Sequence, residues 1–361
     1  MALDCDMDFP SQNPNIQPGE PLQVEPSPAL QTRPISKLPP EIISEVFLNF
    51  LPAYPERPEH PGLSSPLLLC AICREWRAIA IATPELWRAV RMAVDSSSRV
   101  ELVELAAQFE LLQIWLSRSG SYPLSLDIPF QSRSSTFLLE ERLLQIAVPH
   151  SERWEHVDLC LMFDNVHFLQ RNMPLLRHLT FGLHQYPPKD KPVNLFDRAP
   201  RLTHVVLTSN FVKSVIDLPW HQLTHLCAHF LYIEECAEIL RDAVNLVHCD
   251  FGICGSEYSI PLSTLPVHPH LTHLVLRLTG ATSYRPHLSL SPLFDNLTMP
   301  ALLSLRVYEP GITLDALEGS FWRSRCSLEE LRIDEASEPE STYHEAFPSV
   351  KRILLYGQQG D

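Results

Sequence analysis

Six histidines recur at one position of a repeated pattern, and their spacing is the most direct hint of chemistry in the chain. His156, His178, His204, His225, His248 and His273 each stand just before the second apolar residue of a segment such as LTHLVLRL. If these segments are strands, side-chain alternation turns the imidazoles outward, in a row across neighbouring strands. A row of imidazoles could ligate a metal or sense pH. The simpler alternative is that His suits a half-exposed strand start. No carboxylate or Cys recurs beside them, so packing takes precedence and no metal is expected. Cys70-x-x-Cys73 raises a redox or zinc reading. Both cysteines lie in an apolar stretch, and zinc wants four ligands; no second Cys pair or paired His lies at metal spacing, so packing is again preferred. No Gly precedes Lys, and G-x-G-x-x-G, G-x-S-x-G and H-E-x-x-H are all absent. Nucleotide cradles, nucleophile elbows and helical zinc-protease sites therefore have no sequence support.

Composition narrows the classes further. The 361 residues carry 28 Lys+Arg against 43 Asp+Glu, a net charge of −15, with 45% apolar residues. That is enough for a sizeable core, and the acidic balance argues against nucleic acid or anionic lipid as a partner. No apolar run approaches the roughly 20 residues that span a bilayer. The acidic MALDCDMDFP start is unlike a secretory signal, and nine scattered cysteines fit free thiols. A cytoplasmic or nuclear location is the expectation. Eleven Gly and 33 Pro mark a chain short of the first and rich in the second.

Residues 1–34 read as a disordered, acidic, Pro-rich tail, with Ser27-Pro28 a candidate phosphorylation site. Residues 38–51 (LPPEIISEVFLNFL) predict an amphipathic helix with Pro39 and Pro40 at its start and Pro52 as its stop. Residues 52–66, with five prolines, predict a loop. A second helix is expected over 67–81 and a short third element around Pro84, Leu86 and Trp87, with Trp76 and Trp87 as bundle residues rather than exposed anchors. Residues 98–118 predict a linking helix capped by Ser98 and ended by Gly120.

The run Leu38-Pro39-x-Glu41-Ile42-Ile43-x-x-Val46-Phe47, then Ile72-Cys73-Arg74-Glu75-Trp76-Arg77 and Leu86-Trp87, resembles the F-box motif. That pattern opens on L-P-x-E, continues through V-C-x-x-W and closes on L-W. The resemblance covers roughly 55 residues, and the 52–66 loop is longer than the connection usual in that family. It implies that residues 35–92 form a three-helix domain docking on a Skp-type adaptor, and through it on a cullin. The implied adaptor contacts are Leu38, Pro39, Ile42, Ile43, Val46, Phe47, Leu86 and Trp87.

From about residue 124 the chain repeats itself. WEHVDLCL, LRHLTFGL, LTHVVLTS, LTHLCAHF, LVHCDFGI, LTHLVLRL, LLSLRVYE, LEELRIDE and VKRILLYG share the form L-x-x-L-x-L, and YPLSLDI at 122–128 reads as a degenerate copy. Their second apolar residues run from Val157 to Ile353 with a mean step of about 24 residues, which resembles leucine-rich repeats. The regular pattern sets Asn or Cys shortly after the strand. Asn210, Cys254 and Thr279 stand there, whereas His184, Leu231, Pro310 and Ala336 depart from it.

The expected fold class is thus α + α/β: an N-terminal three-helix F-box followed by an irregular leucine-rich-repeat solenoid with a parallel sheet. The expected domains are a tail 1–34, an F-box-like domain 35–92, a linker helix 93–121 and repeats 122–357. The resemblances imply a non-catalytic, cofactor-free substrate receptor of an SCF-type ubiquitin ligase, holding a protein target on the concave strand face. Thr180, Val206, Cys227, Asp250, Val275 and Arg306 would project there. A scaffolding repeat protein whose front helices only cap the stack is the alternative; it would bury Leu38, Ile42 and Phe47.

Overall fold

The structure is a computed structural model describing residues 38–60, 62–92, 102–128, 137–255, 264–279 and 289–357, without the side chains of 102–105 and 137–139. The acidic tail with Ser27-Pro28 and the expected cap Ser98 lie outside the described residues. The described residues fall into two units, divided between Ile43 and Ser44. In the first, Leu38 and Pro39 lead into helix α1 (Pro40–Phe50). A proline opening a helix forfeits an N–H that has no intrahelical acceptor anyway. Pro39 O accepts from the Ile42 and Ile43 amides at 3.0 and 3.2 Å.

In the second unit, α2 (Pro66–Ile72) and α3 (Arg74–Ile81) replace the single helix expected over 67–81. The break falls at Cys73, whose backbone is extended (φ −157°, ψ 171°) and whose Sγ accepts from the Trp76 amide at 3.4 Å. Cys73 is therefore an N-cap, satisfying a donor that a helix start leaves orphaned. A 3-10 turn at Pro84–Trp87 then delivers the chain into strand β1 (Ala89–Arg91).

That strand begins the main sheet. β2 (Leu124–Ile128), β3 (Trp154–Leu161), β4 (His178–Leu183), β6 (His204–Leu207), β8 (His225–Tyr232), β9 (His248–Gly255), β10 (His273–Leu278), β11 (Ser304–Tyr308), β12 (Glu330–Asp334) and β13 (Arg352–Tyr356) follow in sequence order. Each is parallel to the one before, making an 11-stranded sheet. Two short strands, β5 (Val193–Asn194) and β7 (Ile216–Asp217), pair separately. Parallel neighbours need crossover connections, and helices supply several: α4 (Leu102–Arg118) and α5 (Phe137–Ala147) flank β2, α6 (Ile233–Asp242) joins β8 to β9, and α7 (Ser291–Asn296) precedes β11. α8 (Leu314–Ser324) and α9 (Glu340–Ala346) lead into the last two strands. The molecule is a mixed helix–strand fold built on a large parallel sheet.

The repeated apolar residues explain the packing. Leu176, Leu202, Leu223, Leu246, Leu271 and Leu302, the first of each pattern, are fully buried, as are Leu183, Leu207, Phe251, Leu276 and Val307 on the strands. Burying such a side chain contributes about 1.5–3 kcal/mol, and a parallel sheet covered on its inner face gives each one neighbours on both sides. The expected cap Gly120 lies just past α4 with φ +55°, the left-handed conformation that glycine adopts without a Cβ clash. Trp87 and Trp115 meet edge to face at 5.0 Å, and their indole N–H groups donate to Ala80 O (2.8 Å) and Ala89 O (3.2 Å). These two rings lock α3, α4 and β1 together.

The Pro-rich segment after α1 is a loop, but a tethered one. Tyr54 donates to Glu155 (2.8 Å), and Arg57 grips Asp158 through both Nη atoms and Ser125 through Nε (2.8 Å). Ser125 in turn donates to Pro55 O at 2.7 Å. The loop is strapped across β2 and β3, with Pro58 O accepting from the Arg91 amide. Arg57→Ala should free this strap. Faster hydrogen exchange at the Arg91 amide, with core strands β9 to β11 unchanged, is the expected readout.

Candidate functional site

The residues expected to meet an adaptor fall into two sets. In the first unit Leu38 and Ile42 are exposed at 40% and 48%, and Pro39 is also exposed, whereas Ile43 is buried. In the second unit Val46 is 46% exposed, and Phe47, Leu86 and Trp87 are buried. Phe47 packs on the Trp76 ring at 4.9 Å. The expected contact set is corrected accordingly: Ile43, Phe47, Leu86 and Trp87 are core residues. Phe50 at 44%, Leu68 at 36% and Ile72 at 48% are outward apolar residues that the sequence reading had not placed in the site. In the second unit, four-residue spacing puts Val46 and Phe50 on one helical face. In each unit an exposed residue precedes a buried one, Ile42 before Ile43 and Val46 before Phe47.

The residues expected on the strand face share one row. Registers run Asp158, Thr180, Val206, Cys227, Asp250, Val275, Arg306, Arg332 and Leu354 across consecutive strands. All six expected residues are half-buried. The row mixes neutral residues with four charged ones, Asp158, Asp250, Arg306 and Arg332. Asp250 accepts a two-pronged contact from Arg277 at 2.7–2.8 Å, and Arg306 pairs with Asp334 at 2.8 and 3.0 Å. Arg57 holds Asp158 at the other end. These charges are thus mutually satisfied before any ligand arrives.

Two residues back on the same face, the six histidines form one column. Register pairs neighbours along the series His156, His178, His204, His225, His248 and His273, and the rings follow one another at centroid distances of 4.4, 4.3, 4.0, 4.5 and 4.3 Å, stacked at the first and third steps and tilted at the others. Tyr54 of the strap closes one end, edge-on to His156 at 5.5 Å. The preceding threonines fix the rings: Thr203, Thr224 and Thr272 each bring a hydroxyl to 2.9 Å from Nδ1 of the next residue. Thr224 and Thr272 spend their own proton on the carbonyls of Thr203 and Val247. They must therefore accept from Nδ1–H of His225 and His273, which leaves Nε2 of those two rings unprotonated in the neutral form. Burial lowers the pKa of His156, His178, His204, His225 and His248 below the ordinary histidine value, and neighbouring imidazolium charge pushes most of them the same way. Those five rings favour the neutral form. Among the described residues no group of three or more His, Cys, Asp or Glu is arranged to hold a metal.

A third constellation escaped the sequence reading. Cys160 on β3 has its Sγ 3.5 Å from Nδ1 of His184, just past β4. Nε2 of the same ring lies 3.6 Å from Glu140 Oε2, an ion-pair separation longer than a hydrogen bond. Glu140, buried in the first turn of α5, accepts from the Met162 amide (2.8 Å) and from Asn165 Nδ2 (2.7 Å) through its other oxygen. His184 was visible in the sequence only as a departure from the repeat consensus. At the next repeat Asn210 does what the consensus residue should, donating from Nδ2 to Leu183 O at 2.8 Å from a left-handed backbone (φ 50°).

No helix among the described residues is long and apolar enough to cross a membrane. In comparison with known proteins, neither a family model nor a curated protein matches this chain.

Proposed function

We propose that this chain is a non-catalytic substrate receptor of an SCF-type ubiquitin ligase, with an F-box-like front that docks on a Skp-type adaptor and leucine-rich-like repeats that hold a protein target. The observation that carries the reading is the exposure of Leu38, Ile42, Val46, Phe50, Leu68 and Ile72, apolar side chains for which water is an unfavourable neighbour. Covering the exposed half of each contributes about 1 kcal/mol, which favours docking on a partner. Leu38, Pro39, Ile42 and Val46 are the adaptor contacts on this reading, with Ile43, Phe47, Leu86 and Trp87 holding the helices that present them. The row Thr180, Val206, Cys227, Asp250, Val275 and Arg306 is the face for the target. Its chemistry is tethering: holding a target near a conjugating enzyme raises the effective concentration of the reacting groups. No cofactor is needed.

The test is co-elution of the full chain with a purified Skp-type adaptor in size-exclusion chromatography. Leu38→Asp with Ile42→Asp should abolish the complex while the circular dichroism melt stays unchanged, because both positions face solvent. Retained capture by that variant would remove these contacts from the assignment. Burial of Phe47 and Trp87, and membership of β1 in the sheet, favour a second reading, in which the front helices are a cap and the chain is a scaffold. On that reading the wild-type chain does not bind the adaptor at all.

A further inference from the structure

Two residues far apart in sequence line up behind one sulfur. Cys160 is half-buried on the outward side of β3, two residues past Asp158 and four past His156, so it shares their face. His184 abuts its Sγ, and Glu140 backs His184 from the far side. The side chains of His184 and Glu140 are only 6% and 2% exposed. A carboxylate buried this deeply needs compensation, and Met162 N–H, Asn165 and the imidazole provide it. In the next strand the residue level with Cys160 is Gly182, where a Cβ would lie 2.1 Å from Thr208 Oγ1 and 3.0 Å from Ser209 Oγ. Glycine there admits Ser209, whose hydroxyl reaches 4.0 Å from the sulfur while donating to Leu183 O.

We propose that Cys160, with His184 as its proton partner and Glu140 as the positioning residue behind it, is a nucleophilic thiol on the strand face that hydroperoxides oxidise to a sulfenic acid. The order sulfur, imidazole, carboxylate is the arrangement that activates a thiol: the base lies in reach of the nucleophile, and a third group orients the base. The contacts from Cys160 and then Glu140 raise His184 to a pKa of about 9 against the opposing effect of burial. The ring therefore holds its proton at neutral pH, and an imidazolium beside a sulfur favours the thiolate form. The thiolate attacks one oxygen of hydrogen peroxide. An S–O bond forms, the O–O bond breaks, and the departing hydroxide takes the proton from His184 to leave as water. Sulfur loses two electrons and the peroxide gains them, which yields Cys160–SOH and neutral His184. Nothing in this step depends on the ligase reading.

The experiment treats the full chain with hydrogen peroxide at pH 7, traps sulfenic acid with dimedone and quantifies each cysteine-containing peptide by mass spectrometry. Burial pushes the thiols of Cys70 and Cys326 up, so they are internal references. Cys160 should be labelled about tenfold faster than either. His184→Gln and Glu140→Gln should each slow Cys160 by about tenfold and leave the references unchanged. Should either variant misfold, all three thiols accelerate together, and the wild-type alkylation rate then decides. Iodoacetamide alkylation of Cys160 at pH 7 should outpace that of Cys326 in the folded chain. A Cys160 alkylation rate or peroxide rate equal to that of Cys326 overturns the proposal.

Discussion

Lowering the pH from 7 to 4 should weaken the second unit far more than a chain with surface histidines alone would allow. In an unfolded chain His takes up its proton near pH 6.5. In the fold, burial lowers the pKa of His60, His150 and five members of the histidine column, and holds His268 at about 4. Below pH 6.5 the unfolded state therefore binds more protons than the folded one, and stability falls as the pH falls. His268 alone, fully buried, accounts for a loss on the order of 3 kcal/mol by pH 4, at about 1.4 kcal/mol per unit. His184 has the opposite sign. Its pKa is raised to about 9, so its contribution is complete below pH 6.5 and is lost as the pH rises through about 9. Urea melts at pH 8, 7, 6, 5 and 4 would trace the acid limb, and His268→Gln, which cannot charge, should flatten it. A curve as steep in that variant as in wild type would show that carboxylates alone drive the acid loss.

Trp87→Ala should be the most damaging single substitution at the front of the molecule. The ring is completely buried, donates to Ala80 O, meets Trp115 edge to face and carries the Arg118 guanidinium 4.5 Å from its centroid. Emptying that volume costs about 3–5 kcal/mol, and it also leaves the Ala80 carbonyl without this donor. The loss should show as a lower denaturation midpoint. Because Trp87 presents nothing to solvent, adaptor capture by the variant should be restored in full wherever it is folded. Trp87→Phe keeps most of the ring and should recover most of the stability.

Much of the sheet could be read from the spacing of leucines. A pattern of L-x-x-L-x-L at intervals near 24 residues has only one way to bury its apolar side repeatedly, and the histidine column followed from a shared offset within it. The front helices were legible for the same reason, as apolar stripes with prolines at their ends. What the sequence concealed were contacts fixed by distance rather than by period. The apolar run 67–81 carries no signal for the extended backbone at Cys73, since the sulfur that caps α3 looks like any other small core residue. β1 is three residues long, too short for alternation to register. Prolines identified the 52–66 loop without indicating that Arg57 and Tyr54 would bond to residues 101 positions away. Glu140, Cys160 and His184 belong to three separate elements, and only the register of β3 on β4 brings the sulfur to the imidazole.

The sequential order of the sheet has a bearing on how the protein is made. Every strand of the main sheet finds its partner in the sheet strand just before it in the chain, so no strand waits for residues that the ribosome has yet to deliver. The front helices end directly in β1, which gives the growing polypeptide a template as soon as β2 emerges. Each later strand can then dock on a finished edge, and the slow search for distant partners that delays many β-rich folds is avoided.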